Sequence, residues 1–192
     1  MAATPKILAF AGSLRRDSLN KKLIRIAVNA AEQAGGGVKL IDLKEFPLPV
    51  YDGDIEADGW PEHVMELKDL FRAHDGFLIS SPEYNSSISG ALKNVIDWVS
   101  RPEEGHPPLD MFKGRYAGLM SAAAGGFGGM RALPHVRSIL QNIGVMVLPT
   151  MAGVAQAHNA FNDDGSLQDE KKQAQVEQVG ADLVEMIRKV KS

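Results

Sequence analysis

No cysteine occurs among the 192 residues. Disulfides, thiolate nucleophiles and zinc–thiolate sites are excluded together, so any redox chemistry must be carried by a bound cofactor. Strong charge of either sign is missing too. A formal net charge of −3 gives no electrostatic ground for nucleic acid or an anionic membrane as partner. No apolar run nears the roughly 18 residues of a membrane-spanning helix. The opening stretch MAATPKILAFAGS lacks a basic segment followed by an apolar core, so no signal peptide is expected and a cytoplasmic protein is the default. Metal-ligand spacing of the HExxH kind is absent, as are the phosphate-loop patterns GxxxxGK(S/T) and GxGxxG. There is no internal repeat, low-complexity tract or linker to divide the chain. Its length and 44% hydrophobic content suit a single domain over 1–192 with a substantial core.

What is present is an alternation. Apolar runs of strand length at 6–11, 38–43, 76–80, 116–121 and 145–148 are interleaved with segments of helical period at 18–34, 61–74, 89–100, 129–143 and 168–190. The glycine triplet Gly35–Gly37 stops the first helix, and Pro61 suits the first turn of the second. Five β–α units in strict alternation predict an α/β fold, a doubly wound five-stranded parallel sheet with helices on both faces. The stretches 44–60, 101–114 and 155–167 carry no helical period and are expected to be loops.

In an open parallel sheet, ligands bind outside the C-terminal ends of the strands, and in the order 2-1-3-4-5 strands one, three and four are neighbours. The segments that follow these three strands are polar or rich in small residues. After strand one comes Gly12-Ser13-Leu14-Arg15-Arg16-Asp17-Ser18-Leu19-Asn20. Ser13, Ser18 and Asn20 offer neutral hydrogen-bonding groups where the first helix begins, and Arg15 adds a charge suited to phosphate oxygens. The alternative is a plain helix cap by Asp17 or Ser18, which accounts for only one of these residues. After strand three comes Ser80-Ser81-Pro82-Glu83-Tyr84-Asn85-Ser86-Ser87, either the lining of a planar heterocycle or a turn with a cap from Ser86, Ser87 or Ser89. Lys93, Asp97 and Trp98 beyond it suit packing, ion pairing or a subunit contact. After strand four comes Ser121-Ala122-Ala123-Ala124-Gly125-Gly126-Phe127-Gly128-Gly129. It allows close approach of backbone to a ligand and an anion-favouring nest of N–H groups, or is simply a mobile glycine loop. Arg131 would serve a cofactor or pair with an acidic neighbour. None of the five histidines is assigned as acid or base.

Taken together, GSLRRDSLN, SPEYNSSISGALKNVIDW and AAAGGFGG resemble the NAD(P)H-dependent FMN reductase family, which includes FMN-dependent quinone, azo and chromate reductases. The resemblance spans residue 6 to about 155 and implies a flavodoxin-like fold. It implies that Ser13, Arg15, Ser18, Leu19 and Asn20 hold the FMN phosphate, that Pro82, Glu83, Tyr84, Asn85 and Ser86 line the ribityl chain and isoalloxazine, and that Ser121, Gly125 and Gly126 approach the pyrimidine end. Ala122–Ala124 depart from the Ser, Thr or Gly more common in relatives, which weakens any side-chain role there and leaves backbone contacts open. NADPH or NADH as donor, flavin N5 as the only reactive centre, and a small-molecule acceptor follow from the same resemblance, as does a homodimer or homotetramer. The apolar residues Val95, Ile96, Trp98 and Val99 make the third long helix the expected subunit contact. A non-enzymatic flavodoxin-type electron carrier is the main rival. Such carriers generally lack an arginine in the phosphate loop and are strongly acidic, so Arg15 and the modest charge stand against it. A receiver domain would need clustered aspartates after strand one, where this chain has Ala11-Gly12-Ser13.

Overall fold

A computed structural model describes residues 3–191. Each apolar run becomes a strand, and burial follows the coverage of the two sheet faces. The strands are β1 (Lys6–Ala11), β2 (Gly37–Ile41), β3 (Gly76–Ser80), β4 (Tyr116–Ala122) and β5 (Met146–Val154). Every residue of β3 and β4 is buried, whereas β2 is buried only at its last residue. Central strands covered on both faces read as continuous apolar runs; an edge strand does not. The order is β2-β1-β3-β4-β5 with every pair parallel, so β1, β3 and β4 are neighbours as expected.

The helices are α1 (Leu19–Gln33), α2 (Gly53–Asp58), α3 (Glu62–Ala73), α4 (Gly90–Val99), α5 (Ala132–Asn142) and α6 (Glu170–Lys191). Alternation along the strands sends side chains to two separate cores. Ile7, Ala9, Leu78 and Met120 pack with Leu23, Ala27, Val179 and Leu183 of α1 and α6. Leu8, Phe10, Phe77, Ile79 and Leu119 pack with Leu67, Phe71, Leu92, Val95 and Val136 of α3, α4 and α5. Backbones of α1 and α6 come so close that a Cβ on Gly180 would lie 2.1 Å from the Ala27 carbonyl oxygen.

Three sequence expectations need correction. The stretch 44–60 contains α2, whose six residues are too few to show a helical period and whose start is set by Asp52 accepting from the Asp54 N–H. Single 3₁₀ turns also form at Leu43–Glu45 and Ala157–Asn159. β5 runs on to Val154, well past 148, and α5 begins at Ala132 instead of 129. The third correction concerns α4. Its Val95, Ile96, Trp98 and Val99 are all buried within the chain, because the 49–60 segment folds over Trp98. Tyr51 and Trp60 pack against that indole, and its Nε1–H donates to the Pro49 carbonyl at 2.9 Å. Surplus apolar surface on this helix therefore cannot be the ground for a subunit contact.

Candidate flavin-binding site

The three loops are stitched together by backbone and buried side-chain hydrogen bonds. Gly12 N–H donates to the Ser80 carbonyl and Ser81 N–H to that of Met120, both at 2.9 Å. Ser89, the cap of α4, accepts from Leu92 N–H and donates its hydroxyl to the Gly12 carbonyl at 2.5 Å. Asn20 closes the set. Its Nδ2 donates to the Ala122 carbonyl, while its Oδ1 accepts from Ala122 N–H and from the Ser80 hydroxyl. Buried in this way, Asn20 orders the strand ends, and its amide points at β4 and not along the first loop.

Along that first loop, Ser13 and Ser18 are buried, whereas Leu14, Arg15, Arg16 and Asp17 are exposed. Ser18 occupies the N-cap of α1, yet its side chain makes no capping hydrogen bond. Neither it nor Asp17 spends its oxygen on the helix start, where unpaired N–H groups and the dipole favour an anion. Leu19 opens the helix beside it and is half-buried.

Pro82 is buried and leads into a tight hairpin. Tyr84 and Ser87 exchange two backbone hydrogen bonds of 3.0 Å, and the intervening Asn85 and Ser86 have φ of 50° and 63°. Two consecutive left-handed residues make this a type I′ turn, which favours Asn first and is strained at Ser. Glu83 points the other way, toward the third loop. Its carboxylate accepts from the Arg131 N–H at 3.1 Å, from Arg131 Nε at 2.8 Å and from Arg131 Nη2. Burial pushes this carboxyl up, but the hydrogen bonds and charge of Arg131 outweigh it and hold Glu83 below the usual range. Arg131, left open by the sequence, is thus paired with an acid 48 residues away, a partnership no local pattern could reveal. Its guanidinium also stacks 4.6 Å from the Phe127 ring centroid.

The third loop is tied down at its carbonyls. Ala157 N–H donates to Ala123 and Gln156 N–H to Gly125, which fastens the loop to the segment after β5. Ser121 is fully buried with its hydroxyl unpartnered, directly beneath Gly129, where a Cβ would fall 1.7 Å from that oxygen. Gly128 and Gly129 have positive φ. Gly125 and Gly126 differ: their φ is not left-handed, and a Cβ on either would meet nothing within 4 Å. Nothing in the protein itself demands glycine at those two positions. A cavity of about 320 Å³ opens between the second and third loops, walled by Glu83, Asn85, Ala123, Gly125, Phe127 and Arg131 among others. Phe127 in its wall is exposed, as are Tyr84 and Met130, each next in sequence to wall residues.

Among the described residues, no group of three or more His, Asp or Glu side chains is arranged to hold a metal ion. Among the same residues, no helix is long and apolar enough to cross a membrane. His135 bonds the Ser87 hydroxyl and His106 lies near Glu103 and Asp110, so neither faces the cavity.

Known proteins resemble this chain in sequence and in fold. The sequence profile of the NADPH-dependent FMN reductases matches residues 5–159. An NAD(P)H-dependent FMN reductase of Pseudomonas aeruginosa is 37% identical over 175 residues, covering 90% of each chain. The NAD(P)H:quinone oxidoreductase of Solanum tuberosum is 34% identical over 197 residues, covering 100% of this chain and 98% of the relative. The solved structure of FerB, a flavoenzyme NAD(P)H:acceptor oxidoreductase from Paracoccus denitrificans, superposes with a TM-score of 0.81 at 32% identity, covering 97% of this chain and 98% of that one. With the sequence profile, these relatives and the fold in agreement, the chain belongs to the NADPH-dependent FMN reductase family.

Proposed function

We propose that the chain holds FMN across the three loops and catalyses electron transfer from NADPH or NADH to small acceptors, with quinones and free flavin foremost and azo compounds or chromate as further candidates. The observation that carries this reading is the pair Gly125 and Gly126. Glycine there answers neither a backbone strain nor a clash within the protein, and Gly125 lines the cavity between the second and third loops, so we read the space beside the pair as a ligand's. Arg15, the uncapped start of α1, and the hydroxyls of Ser13 and Ser18 form the phosphate end, with Leu19 and Asn20 fixing the helix start behind them. Pro82, Glu83, Tyr84, Asn85 and Ser86 flank the ribityl chain and the ring. The free N–H groups of the third loop meet the pyrimidine edge, and Ser121 supports that loop from below Gly129.

When bound, FMN supplies N5 as hydride acceptor and passes two electrons on to the acceptor. The protein's part is binding and orientation. Tyr84 and Phe127 leave an apolar rim where a planar donor or acceptor can stack, and the Glu83–Arg131 pair neutralises charge beside it. Localisation in the cytoplasm and assembly into a homodimer or homotetramer belong to the same reading; the exposed Tyr84, Phe127 and Met130 supply apolar surface for a second copy to cover. Light scattering that returns a mass near 20.7 kDa at micromolar concentration would count against assembly.

Steady-state kinetics test the function. Purified protein is expected to oxidise NADPH or NADH with quinone and no added reductase, giving parallel initial-rate lines because donor and acceptor take turns at one ring face. Turnover only in the presence of a partner reductase would favour the electron-carrier alternative. Intersecting lines would show both substrates bound at once.

A further inference from the structure

α5 begins without a cap of its own: Arg131 sits at its N-cap with no local side chain accepting from the first turn. The missing acceptor comes from across the cavity. Glu83 takes the Arg131 backbone N–H at 3.1 Å and that residue's guanidinium as well, with its side chain only 6% exposed. One turn further along α5, His135 Nδ1 lies 2.9 Å from the Ser87 hydroxyl at the other end of the hairpin. Gly129, wedged between Ser121 and Glu83, has its missing Cβ position 3.8 Å from the Glu83 Cβ. The hairpin thus grips the start of α5 at two points, and both walls of the cavity are joined through one carboxylate.

We infer that Glu83 is a positioning residue: it caps α5 from the opposite wall and so fixes the 123–131 backbone against which the flavin ring binds. This rests on the FMN reading but acts through the protein alone. Arg131 is the lesser partner, since removing its side chain leaves the backbone cap in place, whereas removing the Glu83 carboxylate loses cap and ion pair together. A neutral amide at 83 keeps one acceptor oxygen for the helix start and loses the charge.

Amide hydrogen exchange on the flavin-free protein tests the clamp without any cofactor. Exchange in 123–132 should rise about tenfold in Glu83→Ala, the scale of one charge-assisted bond. It should rise less in Arg131→Ala and Glu83→Gln, while peptides of β1 and α1 stay protected as a control for folding. Titration of the same variants with FMN and with riboflavin should show both flavins weakened by a common factor, largest in Glu83→Ala. The visible absorption band of the bound flavin should shift in Glu83→Ala and recover partly in Glu83→Gln. Unchanged exchange in Glu83→Ala would overturn the clamp. Weakened FMN with unaltered riboflavin would overturn the placement of Glu83 at the ring and move it to the phosphate. Raised exchange in Glu83→Ala together with an unsubstituted protein that binds neither flavin would uphold the clamp and sink the FMN reading instead.

Discussion

Two single-residue changes separate what the protein needs from what its ligand needs. Gly125→Ala adds a methyl where φ is ordinary and nothing lies within 4 Å. It should leave the protein as stable as before, or more stable by about 0.4–1 kcal/mol through the unfolded chain. Flavin affinity should nevertheless fall by about tenfold or more, because a Cβ takes space meant for the ring. A melting curve and a fluorescence titration on one preparation decide it; unchanged FMN affinity would show that the space is not the ligand's. Arg15→Ala is the complementary case. Arg15 is exposed, so its loss should leave stability alone. FMN binding should weaken by about 1.5–3 kcal/mol, roughly tenfold to 150-fold, with riboflavin hardly affected. Equal losses for both flavins would place Arg15 away from the phosphate. Both residues stand out in the sequence by type and by position after a strand. The role of Asn20 does not, because its amide partners are 60 and 102 residues away, and a polar residue at a helix start reads equally well as a ligand contact.

At the scale of elements, period and length made every long helix and all five strands legible. β3 has the expected bounds of 76–80, a buried run between turn residues. Short or tertiary-dependent elements escaped: α2 is a turn and a half set by an Asp cap, and β5 continues past Pro149 because pairing with β4 carries it to Val154. Close helix packing escaped as well. Gly180 lies inside a helical period, where glycine is about 1 kcal/mol worse than alanine. Local propensity thus predicts that Gly180→Ala stabilises. The structure predicts the reverse, since its Cβ would meet the Ala27 carbonyl oxygen at 2.1 Å and α1 and α6 would have to part. Overpacking of this kind costs about 1–3 kcal/mol, enough to outweigh the gain in helix propensity at most of that range. A fall in melting temperature of roughly 2–4 °C for each net kcal/mol is expected in a chain of this size; a rise would mean the helices can separate freely.

Across the whole molecule, carboxylates tie distant segments and set the response to acid. Asp42 pairs with Lys21, Asp75 with Lys191 and the Lys6 N–H, Glu83 with Arg131, and Asp110 with Arg72. In each, burial pushes the carboxyl up, and the bonds from the partner outweigh it and hold the group below its usual value. A depressed folded-state pKa means that the unfolded chain binds more protons, so stability from these groups is fully present above the ordinary carboxylate range. It is lost as pH falls through the folded values. Thermal melts between pH 7 and 3 should show little change at first, then a progressive drop below about pH 4.5; a stability maximum near pH 3 would contradict the pairings. The amino-acid sequence by itself determined the alternation, the parallel two-faced sheet and the three strand ends that are polar or rich in small residues, because apolar periodicity and turn residues are local properties. Only the tertiary structure decided that Glu83 belongs to Arg131, that Asn20 serves β4, that Trp98 is covered from within, and that Gly125 and Gly126 face open space. Those facts depend on which distant segments meet, and contacts between residues tens of positions apart leave no periodic trace in a single chain.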